Sequence, residues 1–66
     1  MTFSEKISAL RKQKGWSQEE LAEKLMVTRQ AVSKWESGAS DPSTTNLMAL
    51  AKLFGTTAEE LLKETK

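Results

Sequence analysis

The chain is short, with 66 residues that include ten basic and nine acidic side chains, for a formal net charge of +1. It has no cysteine, histidine or tyrosine, which excludes disulfides, thiolate metal sites, thiol nucleophiles and the commonest general bases. No apolar run is long enough to cross a bilayer, and no secretory signal pattern is visible. We therefore expect one small cytoplasmic domain over residues 1–66 that is not an enzyme and has no cofactor, metal, membrane segment or small-molecule ligand.

The first predicted helix runs from about Phe3 to Lys14 and stops before Gly15. Thr2 and Glu5 have the spacing of a capping box, in which each side chain accepts a hydrogen bond from the backbone N–H of the other residue. The apolar residues recur at helical spacing at Phe3, Ile7 and Leu10.

The second predicted helix begins at Gln18. Ser17 stands three residues before Glu20, which is again the spacing of a capping box. The apolar residues of this helix form a single stripe, and its charged residues lie off that stripe. The stripe consists of Leu21, Ala22 and Leu25. One face of the helix is therefore expected to be buried.

The third predicted helix starts at Arg29, because Thr28 is a good N-cap, and it ends before Gly38, which suits the left-handed residue that closes many helices. Since each residue turns the helix by about 100°, apolar and polar side chains separate onto opposite sides. The apolar side carries Ala31, Val32 and Trp35. The polar side carries Arg29, Gln30, Ser33, Lys34 and Ser37. We expect Trp35 to be at least partly buried in the core.

Two more helices are predicted after Pro42, which prevents the chain from resuming helix at once. The fourth ends at Gly55, and its apolar residues are Leu47, Leu50, Ala51 and Phe54. The fifth opens with Thr57 and Glu60 and carries Leu61 and Leu62. Five short helices with brief connections predict an all-α fold, a compact five-helix bundle. We interpret Met26 and Met48 as fillers of the core or of its rim.

The polar side of the third helix has the side chains needed to read DNA. An α-helix fits the major groove, where Arg or Lys can bind guanine O6 and N7 and Gln can bind adenine N6 and N7. For a single helix, an ordinary solvent-facing surface is the simpler interpretation. The close pairing of two helices across residues 26–28 favours DNA binding instead.

Two stretches of sequence carry a family resemblance. They read Gly15-Trp16-Ser17-Gln18-Glu19-Glu20-Leu21-Ala22 and Val32-Ser33-Lys34-Trp35-Glu36-Ser37-Gly38, and Pro42 and a leucine-rich helix follow at the expected spacing. In these residues the chain resembles the Cro and phage-repressor type of helix-turn-helix domain, also called the Xre family, from about Ile7 to Leu62. The resemblance implies a lambda-repressor-like fold, with the helix-turn-helix at 17–38, and sequence-specific binding of double-stranded DNA.

The resemblance also implies roles for individual residues. The residues that match base-contacting positions are Arg29, Gln30, Ser33 and Lys34. The residues that match positions near the DNA backbone are Ser17, Gln18, Thr28 and Ser37. Of these, Gln18 is expected to reach a phosphate at a helix N-terminus. Arg11 and Glu36 match a pair that joins the first helix to the end of the recognition helix, and we interpret this pair as structural, with a phosphate contact open to Arg11.

The loop after the third helix departs from the family pattern. Many relatives carry Lys or Arg there, whereas residues 38–43 of this chain read GASDPS and include an acid. Because each phosphate contact adds about one unit to the slope of affinity against salt, we expect a mild salt dependence and modest affinity.

The leading hypothesis is a bacterial or phage transcriptional regulator, which we expect to be a repressor. Members of the family usually bind palindromic operators as homodimers, and the candidate dimer surfaces here are Leu62 with the last helix and the loop after Gly38. The alternatives are an antitoxin-like domain that masks a partner enzyme, with DNA binding secondary, and a plain helical protein-interaction module. Antitoxins of this family usually carry an extra segment for the toxin, and none is visible here.

Overall fold

A computed structural model describes residues 2–63, and that range contains five α-helices. They are α1 (Phe3–Gln13), α2 (Gln18–Leu25), α3 (Arg29–Ser37), α4 (Thr44–Leu53) and α5 (Ala58–Leu62). The predicted all-α architecture of five short helices is therefore confirmed. None of the helices within residues 2–63 is long and apolar enough to cross a membrane.

The start of each helix is fixed by local hydrogen bonds that the sequence encodes. At α2 the Ser17 hydroxyl accepts from the Glu20 N–H at 3.0 Å, and the Glu20 carboxylate accepts from the Ser17 N–H at 2.9 Å. The same capping box opens α1. At α3 the Thr28 hydroxyl accepts from the Ala31 N–H at 3.2 Å. These bonds satisfy backbone donors that a helix leaves unpaired at its first turn.

The hydrophobic core lies where α1, α2 and α3 meet α4 and α5. Its buried members are Ile7, Leu21, Ala22, Val32, Trp35, Leu50, Ala51 and Leu61. Helix α3 packs against both α1 and α2, so its apolar side is turned inward. Trp35 is only 4% exposed, which confirms that it belongs to the core. The orientation of α3 about its own axis is therefore set by burial of Val32 and Trp35.

Two methionines are the main correction to the packing predicted from sequence. Met26 closes α2 in the left-handed conformation, with φ of 59°, and its side chain is 93% exposed. Met48 on α4 is 61% exposed. The interpretation of both residues as fillers of the core or of its rim is therefore wrong for Met26, and Met48 is likewise exposed and is not among the residues that pack against the buried cluster.

Two aromatic side chains, Trp16 and Phe54, pack together beside α2. The rings of Trp16 and Phe54 stack with centroids 5.9 Å apart, and Lys24 Nζ lies 4.6 Å from the centre of the Trp16 ring. Both rings are only partly buried and pack against the edge of the core. This contact joins the turn before α2 to the end of α4, which helps to hold α2 in place.

Candidate DNA-binding surface

Helix α3 presents one polar face to solvent. Arg29, Gln30 and Lys34 are exposed on it, and Ser33 between them is partly buried. Within residues 2–63 the side chains of Arg29, Gln30 and Lys34 have no hydrogen-bond partner. Their donors and acceptors are therefore available to an incoming ligand, and they project from the side of the helix opposite Val32 and Trp35.

Hydroxyl groups lie at the termini of the helix pair. The oxygens of Ser17 and Thr28 act as acceptors in the caps of α2 and α3, which leaves the hydroxyl proton of each to donate to an anion. Ser37 differs, because its hydroxyl donates to the Lys34 carbonyl at 3.1 Å. A phosphate contact from the Ser37 hydroxyl would therefore require a change of rotamer.

Arg11 and Glu36 form a nearly buried ion pair between α1 and α3. Arg11 Nε donates to Glu36 Oε2 at 2.7 Å and Arg11 Nη2 donates to Glu36 Oε1 at 3.1 Å. The side chains are only 12% and 7% exposed, respectively. Arg11 Nη1 also donates to the Trp16 carbonyl at 2.7 Å. This fork of hydrogen bonds fixes the C-terminal part of α3 to α1 and to the turn that precedes α2.

Gln18 takes part in the same cluster. Its Nε2 donates to Glu36 Oε1 at 3.2 Å, across 18 positions of sequence. The first residue of α2 is thereby brought beside the last turn of α3, and the exposed Ser17 and Ser37 flank this junction. Sequence reasoning assigned Gln18 to a phosphate but missed its bond to Glu36, because no local pattern records a contact between two helices.

The hydrogen bonds around Glu36 also change its acidity. Burial alone would raise the pKa of the carboxyl, but hydrogen bonds from Arg11 and Gln18, together with the Arg11 charge, outweigh it. The pKa of Glu36 therefore lies below its usual value, and the group is ionised at neutral pH. The Arg11 guanidinium cancels most of this charge locally.

Comparison with known proteins identifies the fold family. The family model described as helix-turn-helix matches residues 7–61, which is most of the chain. The chain belongs to the helix-turn-helix family. This confirms the resemblance to the Cro and phage-repressor type that the sequence motifs indicated. Within the matched residues, α2, α3 and the turn between them form the helix-turn-helix itself.

Regulators of transcription and their complexes with DNA are among the similar proteins. The helix-turn-helix domain is 48% identical over 62 residues to the transcriptional activator BcrR of Enterococcus faecalis, and the match covers 94% of the chain and 30% of BcrR. The P22 c2 repressor in complex with a synthetic operator superposes with a TM-score of 0.91 at 33% identity, covering 96% of each chain. The biofilm regulator SinR in complex with DNA gives 0.84 at 30% identity, covering 94% of this chain and all of the SinR chain.

The matched relatives are longer than this chain. It spans 30% of BcrR and 58% of a prophage-derived regulator of Bacillus subtilis. The match to the P22 c2 repressor structure, by contrast, covers 96% of both chains.

Proposed function

We propose that this chain is the double-stranded DNA-binding domain of a cytoplasmic transcriptional regulator and that it is not an enzyme. The observation that carries the proposal is the two-sided character of α3, where Val32 and Trp35 are buried while Arg29, Gln30 and Lys34 are exposed. A helix held by its apolar side against two other helices offers a fixed polar edge to the major groove.

The base contacts are assigned to the free polar side chains of α3. Arg29 and Lys34 would donate to guanine O6 and N7, and Gln30 would pair with adenine N6 and N7. Ser33, between them, would approach a base edge or a thymine methyl. These residues would determine which sequence is preferred.

The DNA backbone contacts are assigned to the ends of the helix pair. Ser17 and Gln18 lie at the N-terminus of α2, where backbone N–H groups and the helix dipole favour a phosphate. Thr28 would add a hydroxyl donor at the N-terminus of α3. Such contacts position the domain on the duplex but carry no sequence information of their own.

We infer further that the domain binds a palindromic operator as a homodimer, with half-sites about one helical turn apart. Leu62 is 57% exposed at the end of α5 and offers an apolar contact for a second copy. Repression is the expected regulatory outcome. The relatives include both an activator, BcrR, and a repressor, P22 c2, so the sign of regulation needs its own assay with a reporter gene.

The experiment that tests the proposal is selection of the chain against a randomised duplex library at low salt, in parallel with the double variant Arg29→Ala, Lys34→Ala. A matched control, Lys52→Ala with Lys63→Ala, removes the same two positive charges from exposed positions outside the helix-turn-helix. We expect the wild type and the control to enrich one short palindromic motif and the α3 variant to lose it.

Two other results would argue against the proposal. If the control lost the motif together with the α3 variant, binding would depend on net charge and not on the polar face of α3. If no motif were enriched by the wild type, the polar face would be assigned to a protein partner, as in the antitoxin-like and interaction-module alternatives.

A further inference from the structure

Glu36 lies where α1, α2 and α3 converge, and one of its oxygens serves two helices at once. Oε1 accepts from Gln18 Nε2 at 3.2 Å and from Arg11 Nη2 at 3.1 Å, while Oε2 accepts from Arg11 Nε at 2.7 Å. The side chain is 7% exposed, so the carboxylate is directed into the protein and not toward solvent. The hydrogen bonds of the Glu36 carboxylate are therefore made to Arg11 and Gln18 and not mainly to water.

The chemistry of the carboxylate determines how the Gln18 amide is turned. An ionised carboxylate accepts hydrogen bonds and cannot donate them, so it can only face the amide nitrogen of Gln18 and repels the amide oxygen. The nitrogen carries two N–H groups, and the bond to Glu36 occupies one of them. The second N–H remains as a donor on the exposed end of α2.

A DNA phosphate makes the same demand as the carboxylate, because it also only accepts hydrogen bonds. Without Glu36, the Gln18 amide could present either its oxygen or its nitrogen to the phosphate. We propose that Glu36 is a positioning residue for DNA binding, which holds the Gln18 amide so that its nitrogen donates at once to the Glu36 carboxylate and to a DNA phosphate. This inference rests on the proposed function of the domain.

Arg11 makes the arrangement compatible with DNA. A lone carboxylate near the duplex would repel the phosphates, but two hydrogen bonds from the Arg11 guanidinium neutralise Glu36 within the protein. The carboxylate can therefore orient Gln18 at little electrostatic cost to DNA binding.

A double-mutant cycle in binding tests the proposal. Gln18→Ala, Glu36→Gln and the double variant are titrated by anisotropy against a labelled duplex of random sequence at low salt, since phosphate contacts do not depend on sequence. We expect each single substitution to lower affinity by about 3- to 10-fold, the range of one typical lost hydrogen bond. In the Gln18→Ala background, Glu36→Gln is expected to have no further effect beyond about twofold.

The control for net charge is Glu23→Gln, which removes one acid from an exposed position of α2. On electrostatics alone, loss of an acid strengthens binding to DNA, and we expect Glu23→Gln to do so slightly. Glu36→Gln removes the same charge but is expected to weaken binding. Opposite signs for the two variants would separate orientation of Gln18 from a change in net charge.

The side-chain amide resonances of ¹⁵N-labelled wild type give a readout that needs no variant and that general loss of stability would not move. We expect one Gln18 N–H proton to be shifted and protected in the free protein, and the other to shift when duplex is added. Glu36→Gln, once thermal unfolding has shown it to be folded, is expected to abolish the first signature.

Four results would overturn the inference. The first is an equal loss of affinity from Glu36→Gln with and without Gln18, and the second is tighter binding by Glu36→Gln. The third is a pair of unprotected Gln18 amide protons in the free wild type. The fourth is a wild type that binds no duplex at all, which would overturn the proposed function as well. In that case the amide spectrum of the free protein would still show whether Glu36 orients the Gln18 amide.

Discussion

Met26 adopts a left-handed backbone conformation that favours glycine over a residue with a side chain. It is the only non-glycine residue with positive φ within residues 2–63, and its side chain is almost fully exposed. A side chain in the left-handed region brings its Cβ close to the backbone, at a cost of about 1–2 kcal/mol, which glycine avoids. Because the Met26 side chain buries little surface, it does not offset this cost. The packing of α2 and α3 must therefore hold the turn in this conformation.

We therefore predict that Met26→Gly stabilises the protein by about 0.5–1 kcal/mol, after subtraction of the greater freedom of glycine in the unfolded chain. Urea unfolding monitored by tryptophan fluorescence would measure it. Met26→Ala is the matched control, because it removes the side chain but keeps the Cβ, and it is expected to change stability little. Equal stabilisation by alanine would assign the effect to the exposed methionine side chain and not to φ.

Glu36 gives the fold a dependence on pH at the scale of one residue. Its folded-state pKa is lower than the unfolded value of about 4.3, so the folded protein holds fewer protons than the unfolded chain in that range. The stability contributed by the ion pair is fully present above the unfolded pKa. It is lost as pH falls through the lowered pKa of the folded state.

We predict that Glu36→Gln lowers stability by about 1–3 kcal/mol near neutral pH, because it weakens a nearly buried charge-assisted hydrogen bond. The difference from wild type should shrink as pH falls through the folded-state pKa of Glu36, because residue 36 then becomes neutral in both proteins. Thermal unfolding of both proteins across this range would measure it. A difference that stayed constant with pH would show that the ionised carboxylate is not what stabilises the junction.

At the scale of the element, one side of α3 packs in the core and the other side is exposed to solvent. Val32 and Trp35 fix its position against α1 and α2, while the side chains of Arg29, Gln30 and Lys34 make no hydrogen bond within residues 2–63. This separation is why substitutions on the polar side are expected to alter binding with little effect on folding.

We predict that Arg29→Ala and Lys34→Ala each cost about 1–3 kcal/mol of binding and relax the preference at one base position. Gln18→Ala should instead weaken binding to all sequences alike, because a phosphate contact carries no sequence information. Affinities for a selected operator and for its single-base variants would measure both. The assignment of roles would be reversed if Gln18→Ala changed the preferred sequence while the two α3 variants did not.

At the scale of the whole molecule, the end of α5 leaves a large apolar side chain, Leu62, exposed to solvent. Leu61 is 1% exposed and anchors α5 to the core, whereas its neighbour Leu62 is 57% exposed. Adjacent helical positions thus have opposite environments, so Leu62 can be changed without touching the core.

We predict that Leu62→Asp shifts the protein toward monomer in sedimentation at high concentration and weakens cooperative binding to a palindromic duplex. Met48→Asp is the matched control, since Met48 is a similarly exposed apolar residue on α4. Circular dichroism would confirm that both variants remain folded. Unchanged sedimentation of Leu62→Asp would eliminate this surface and favour the loop after Gly38.

The sequence by itself determined the five helices and the direction in which α3 faces. Capping boxes, N-cap hydroxyls and apolar periodicity act within about four residues, so their physics is complete in a short stretch of chain. The starts of α2 and α3 and the core position of Trp35 were predicted in this way and are confirmed. The contacts of α3 with DNA stay predictions, because they depend on a partner outside the chain.

Only the tertiary structure decided what lies between the helices. Gln18 and Glu36 are 18 positions apart, and their hydrogen bond exists because α2 and α3 cross at one particular angle and distance. The apolar side chain of Met26 predicts packing. The tight connection between α2 and α3 instead places this residue in the left-handed conformation with its side chain exposed. Local energies choose which residues form a helix, whereas burial of the shared core chooses how the helices meet.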